Sequence, residues 1–149
     1  MTLPTHALLG LIIGTATGHP VVGLAVACFP DTDHLYSYVK HGYFKNWKRF
    51  YKNAFGEHDA YRDQRNILHN IIVAGTICGI GFSIVPELAV TITLAYASHL
   101  MLDAIDKSDY YPLYPLRGIN MRGFIDFYSW QEGIVFVGLA ACYLVLRFV

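Results

Sequence analysis

His99 and Asp103, in the stretch SHLMLD, stand four residues apart inside an apolar segment. On a helix that spacing puts both on one face. An imidazole and a carboxylate one turn apart suit a hard or borderline metal ion. Ionisable groups within an apolar helix are costly and usually functional; the plainer alternative is a hydrogen-bonded pair between helices. His69, in RNILHN, opens a second apolar segment, with Arg65 four residues before it on the same expected helical face. His69 can ligate a metal while Arg65 faces an anion such as a phosphate, or Arg65 is only a helix anchor at the membrane surface. Asp31, Asp33 and His34 follow Pro30 in ACFPDTDHLY, where the first apolar segment ends, and His6 lies where it begins. His19, His41 and His58 do not share this placement and are read as non-ligands.

These groups meet only if the chain brings them to one level. Four apolar segments, 7–29, 67–85, 88–105 and 132–149, each approach the roughly 20 residues needed to cross a bilayer. TATGHP at 15–20 interrupts the first of them with turn residues, and Pro20 suits the first position of a new helix. The expected elements are short helices over 5–16 and 20–29, folded as a hairpin. A straight span would put His6 and Asp31 on opposite membrane faces; a hairpin puts them side by side. A tight turn at Pro86-Glu87 joins the second and third segments.

The loop 30–66 carries Lys40, Lys45, Lys48, Arg49, Lys52, Arg62 and Arg65, and the loop 106–131 carries Lys107, Arg117 and Arg122, whereas the 86–87 turn has neither Lys nor Arg. The positive-inside rule then puts both long loops, and the His/Asp groups beside them, in the cytoplasm. Tyr43, Phe44, Trp47, Tyr51 and Phe55, interleaved with Lys45, Lys48, Arg49 and Lys52, read as a basic amphipathic helix at headgroup level. The tyrosines of YYPLYPLR at 110–117 suit the interfacial aromatic belt.

Composition agrees with a membrane setting. Hydrophobic residues make up 54% of the 149 and charged residues 15%, against about 25% charged in a typical soluble domain. A soluble all-helical protein with an apolar core is the alternative. Zero formal net charge gives no electrostatic footprint for nucleic acid. Cys28, Cys78 and Cys142 lie far apart in apolar stretches, which argues against an iron–sulfur or structural cysteine–zinc site. No Lys or Arg precedes the first apolar run, so it reads as retained rather than as a cleaved signal. The expected architecture is one domain over 1–149, an all-α integral membrane bundle with an N-terminal hairpin and a metal site at the cytoplasmic helix ends.

THALLG at 5–10, PDTDH at 30–34, RNILHN at 65–70 and SHLMLDAID at 98–106, in that order, resemble the YdjM-type family of membrane-bound metal-dependent hydrolases. YPL at 114–116 resembles that family's Tyr-Pro stretch, and the resemblance covers essentially the whole chain. The family is in turn similar to zinc-dependent phospholipase C and P1 nuclease, all-helical enzymes that cleave phosphoesters at clustered zinc ions. That likeness runs through His6, Pro30-Asp31, His69, and His99 with Asp103. The phospholipase C group has a further His-x-x-x-Glu helix, whereas here no histidine follows Asp103; Asp126 and Glu132 are the acids that could substitute.

The expected ligands are therefore His6, Asp31, His69, His99 and Asp103, holding one to three divalent ions, with zinc the expected metal. A clustered divalent metal would lower the pKa of bound water to about 7, with Asp33 or His34 as general base and Arg65 on the phosphate. The expected substrate is a phosphoester or lipid headgroup at the inner-membrane surface. The rival readings are a non-enzymatic metal-binding membrane protein and a metal-ion transporter. A transporter would want polar groups at several depths, whereas these gather at one end.

Overall fold

The structure is a computed structural model that describes residues 1–54 and 65–148. Helix α1 (Leu3–Ala16) and helix α2 (Pro20–Cys28) form the expected hairpin. Gly18 in the intervening turn has φ +83°, the left-handed region that glycine enters without penalty. Pro20 opens α2, where its missing N–H costs nothing. The two helices touch backbone to backbone. A Cβ added to Gly23 would lie 2.3 Å from the Gly10 carbonyl oxygen and 2.6 Å from the Gly14 Cα. Small residues permit this approach, as in packed membrane helices.

Pro30 does not end the helical path. A 3-10 turn (Phe29–Asp31) leads directly into α3 (Thr32–Lys40). The basic aromatic stretch is not one helix either. It divides into a 3-10 turn (Tyr43–Lys45) and α4 (Trp47–Ala54). Gly42, at φ +65°, precedes the break. Tyr43 is buried while Trp47 and Tyr51 are exposed; Phe55, Arg62 and His58 lie outside the described residues.

Helix α5 (Ile71–Ile84) is capped by Asn70, whose Oδ1 accepts from the N–H groups of Ile72 and Val73. Val85 is the whole connection to α6 (Pro86–Ile105), so the turn falls one residue before the expected Pro86-Glu87. Helix α7 (Trp130–Phe148) completes the bundle. An isolated bridge pairs Asp106 with Ile125, and no strand occurs among the described residues. Helix α1 packs on α2, α6 and α7, α2 packs on α6, and α5 packs on α6.

Of the four apolar segments, α6 with 20 residues and α7 with 19 are long and apolar enough to cross a membrane. The hairpin halves the first segment, and α5, at 14 residues, spans only about 21 Å at 1.5 Å per residue. Burial runs opposite to that of a water-soluble domain. His6, His69, His99, Asp103 and Asp106 are among the most completely buried side chains. Meanwhile α5 exposes Ile71, Ile72 and Ile84, and α7 buries only Glu132. Exposed apolar surface on this scale needs a non-aqueous neighbour. The small apolar cluster of Met1, Leu102 and Ile125 lies at the same end as the buried polar groups.

Candidate metal centre

Five helix ends meet where the polar groups are. His6 comes from the first turn of α1, Asp31 from the 3-10 turn after α2, and Asp33 and His34 from the start of α3. His69 and Arg65 come from the irregular stretch before α5, and His99 and Asp103 from the last turns of α6. Arg65 and His69 therefore do not share a helix face as expected, since α5 begins only at Ile71. Asn70 sets this start: its side chain takes the cap position and leaves His69 in the preceding turn.

Three ligand atoms form a compact triangle. His69 Nε2 lies 3.1 Å from His99 Nε2 and 3.1 Å from Asp103 Oδ2, and His99 Nε2 lies 3.5 Å from Asp103 Oδ2. Around a tetrahedral zinc with bonds of about 2.0–2.1 Å, neighbouring donors are about 3.3 Å apart. Asp31 Oδ1 stands 3.9 Å from His99 Nε2 and 3.4 Å from His34 Nε2. His6 Nε2 stands 3.3 Å from Asp103 Oδ1, and its ring stacks on His99 with centroids 3.9 Å apart. The groups that could hold a metal ion are thus His6, Asp31 and His99; Asp31, His34 and His69; and His69, His99 and Asp103. Asp31, His69 and His99 each belong to two of these groups.

The surroundings aim the imidazoles inward. Nδ1 of His99 faces the Ala27 carbonyl oxygen at 2.6 Å, and Nδ1 of His69 faces Asp33 Oδ2 at 3.1 Å. Both acceptors favour the proton on Nδ1, which turns each Nε2 lone pair towards the other. Two lone pairs 3.1 Å apart repel unless a cation lies between them. The buried His6 Nδ1 and Nε2, Asp31 Oδ2 and Asp103 Oδ2 also have no hydrogen-bond partner among the described residues. Buried polar atoms are normally satisfied, and these belong to residues of the three candidate groups.

Arg65 is held by carboxylates. Its Nη2 lies 2.9 Å from Asp103 Oδ1 and 3.4 Å from Asp106 Oδ1. Burial opposes its charge, but Asp103 and Asp106 more than offset this and raise its pKa. A phosphate reaching Arg65 would have to share it with those two acids. Asp106, which is not among the expected site residues, is fully buried. Burial would favour its neutral form, but Arg65 and the Met1 amino group outweigh that and lower its pKa. Its signal was present in SHLMLDAID, where it follows Asp103 by three residues. The Met1 amino group lies 3.0 Å from Asp103 Oδ1 and 2.9 Å from Asp106 Oδ2.

Burial pushes the His34 pKa down to about 4 against the pull of Asp31, so this imidazole is neutral at pH 7. Burial also opposes a charged His69, but hydrogen bonds with Asp103 and Asp33 outweigh it and raise its pKa. The His69 position therefore favours a cation, whether proton or metal.

Other groups lie apart. Glu132 is buried but occupied: Oε1 accepts from Thr2 N–H and Thr5 Oγ1, and Oε2 from Tyr128 N–H. Asp126 pairs with Lys107. Neither belongs to a ligand group, nor do His19 and His41. Tyr110 and Tyr111 are buried rather than interfacial, with Tyr110 donating to the His69 carbonyl oxygen at 2.9 Å.

A family model of the YdjM inner membrane protein matches residues 1–149, and the chain belongs to that family. This agrees with the two long apolar helices and makes the chain a membrane protein. No curated protein and no solved structure shows a significant match.

Proposed function

We propose that this member of the YdjM inner membrane protein family is a metal-dependent hydrolase acting on a phosphoester or lipid headgroup at the membrane surface. The observation that carries the reading is the triangle of His69 Nε2, His99 Nε2 and Asp103 Oδ2, three buried donors spaced for one small divalent ion. The nitrogen and oxygen donors favour zinc. His6 and Asp31 extend the cluster towards a second position, as expected for a site of more than one ion.

A bound divalent ion would supply a Lewis acid and a water whose pKa falls to about 7. The protein's own residues divide the remaining work. His34 lies at the edge of the cluster beside Asp31 and is the candidate general base, its neutral imidazole having an unprotonated nitrogen at pH 7 although burial makes that nitrogen a weak base. Asp33 is less suited to that role, because its Oδ2 is engaged by His69 Nδ1 and by the N–H groups of Asn66 and Leu68. It acts as a positioning residue for His69. Arg65 orients Asp103 through Oδ1, which leaves Oδ2 turned to the histidines. The distribution of Lys and Arg supports a cytoplasmic site.

The test pairs elemental analysis of the purified protein with phosphodiesterase and phospholipase assays. Bound zinc, lost in a His99→Ala/Asp103→Ala variant together with hydrolysis, is the expected result. Full metal content in that variant would reject the site. Metal binding without hydrolysis of any phosphoester or lipid would move the function to non-enzymatic metal binding.

A further inference from the structure

A cavity of about 450 Å³ lies between α5 and α6 and takes no part in the metal centre. It is walled by Ile71, Gly75 and Cys78 from α5 and by Thr93, Ala97 and Ala104 from α6. These positions recur at helical spacing, so each helix gives the cavity one continuous stripe. Ala104 is next in sequence to Asp103, which turns the two side chains about 100° apart around α6. The cavity and the metal centre therefore occupy neighbouring faces of the same helix end.

Tyr96 and Tyr110 stand between them. Both residues line the cavity. Their hydroxyls point away, donating to the carbonyl oxygens of Leu68 at 2.6 Å and His69 at 2.9 Å. Each tyrosine thus presents carbon to the cavity and a hydrogen bond to the stretch carrying His69. A polar ligand would find little to bind.

Dimensions limit the occupant. Thr93 to Ala104 covers about 16 Å of helix at 1.5 Å per residue. A cavity of about 450 Å³ drawn out over that length has a cross-section of roughly 28 Å². A helix 10–12 Å across has a cross-section of roughly 80 Å² or more, so the slot would not enclose a partner helix. A single hydrocarbon chain running along the helices fits, and the surrounding membrane supplies such chains.

We propose that this slot is an acyl-chain site, in which one fatty chain of a membrane lipid lies between α5 and α6 with its polar end at the level of His69 and Asp103. The identification of that lipid as the substrate rests on the hydrolase reading; its binding does not. The lipid is held by contact with carbon, and no hydrogen bond along the chain is required. Thr93 lines the deep end, and its Oγ1 has no partner among the described residues.

The experiment uses full-length protein in phosphatidylglycerol vesicles doped with a diacyl lipid that carries a photoreactive diazirine in one chain. Labelled peptides are mapped by mass spectrometry. The expected label concentrates on 71–78 and 93–104 and is competed by unlabelled diacyl lipid. A Cβ added at Gly75 meets nothing within 4 Å, so Gly75→Trp should occupy the slot without disturbing the bundle. It should abolish that label and leave metal content unchanged, whereas Gly75→Ala should label like the wild type. Thr93→Val should also label like the wild type, whereas a ligand bound through the hydroxyl would be lost. Even labelling around the bundle, or equal labelling of wild type and Gly75→Trp with metal content intact, would overturn the proposal. Hydrolysis is read separately. Labelling that follows these expectations without any hydrolysis would reject the hydrolase reading and keep the slot. Gly75→Trp should slow cleavage of long-chain lipid but not of a water-soluble phosphodiester.

Discussion

Asp33 stands behind His69, its Oδ2 3.1 Å from the imidazole Nδ1 and bonded to the N–H groups of Asn66 and Leu68 at 3.1 and 2.8 Å. One carboxylate thereby favours the proton on Nδ1 of a candidate ligand histidine and holds the path of the backbone carrying it. Loss of such a partner typically weakens metal affinity by about 10–100-fold. Asp33→Ala is expected to fall in that range by competition against a chromophoric chelator, with near-normal metal content at saturating zinc. Unchanged affinity would remove Asp33 from the site.

Metal binding should also register as stability. A ligand that binds only the folded state adds about 2.7 kcal/mol at a concentration a hundred times its Kd. Chelation should lower the melting temperature of the detergent-solubilised protein, and zinc should restore it. In His99→Ala/Asp103→Ala the zinc-dependent rise should vanish. A rise of equal size in that variant would place the binding elsewhere.

Arg65 is buried against Asp103 and Asp106, so its removal leaves these two carboxylates to share the Met1 amino group. Breaking a buried ion pair from one side costs about 3–5 kcal/mol. Arg65→Ala should therefore be strongly destabilised in thermal unfolding, and adding Asp106→Asn should recover part of the loss. If Arg65 instead served only an external phosphate, Arg65→Ala would keep wild-type stability and lose only hydrolysis.

The hairpin is needed for the site because it brings His6 to Asp31. A side chain at Gly23 would collide with the backbone of α1 at Gly10 and Gly14, whereas one at Gly79 meets nothing. Gly23→Leu is expected to keep helical circular dichroism and lose bound metal, while Gly79→Leu should keep both. Normal metal content in Gly23→Leu would show that His6 and Asp31 do not depend on this packing.

Orientation is open to cysteine labelling in intact cells, in a background in which Cys28, Cys78 and Cys142 are replaced by alanine. The charge distribution predicts that a cysteine at Lys45 is protected from an impermeant reagent and one at Glu87 is modified. The opposite pattern would reverse the topology.

The sequence by itself determined the helices, the turn between α1 and α2 and most of the candidate groups that the fold brings together. These are local properties. Apolar length, the Gly18–Pro20 break and the spacing of His99 and Asp103 each act within a turn or two of chain. What failed was also local in cause. Asn70 caps α5 and so removed the assumed helical face linking Arg65 to His69. Val85 alone made the turn before Pro86. Residue type alone points Tyr110 and Tyr111 to the interface, yet they are buried. Division of labour among the charged groups could not be read from spacing at all. Asp33 backs His69 across 36 positions, and Arg65 reaches Asp103 across 38. Which oxygen of a carboxylate meets an arginine and which meets a histidine depends on how five helix ends pack, and only the tertiary structure decides that.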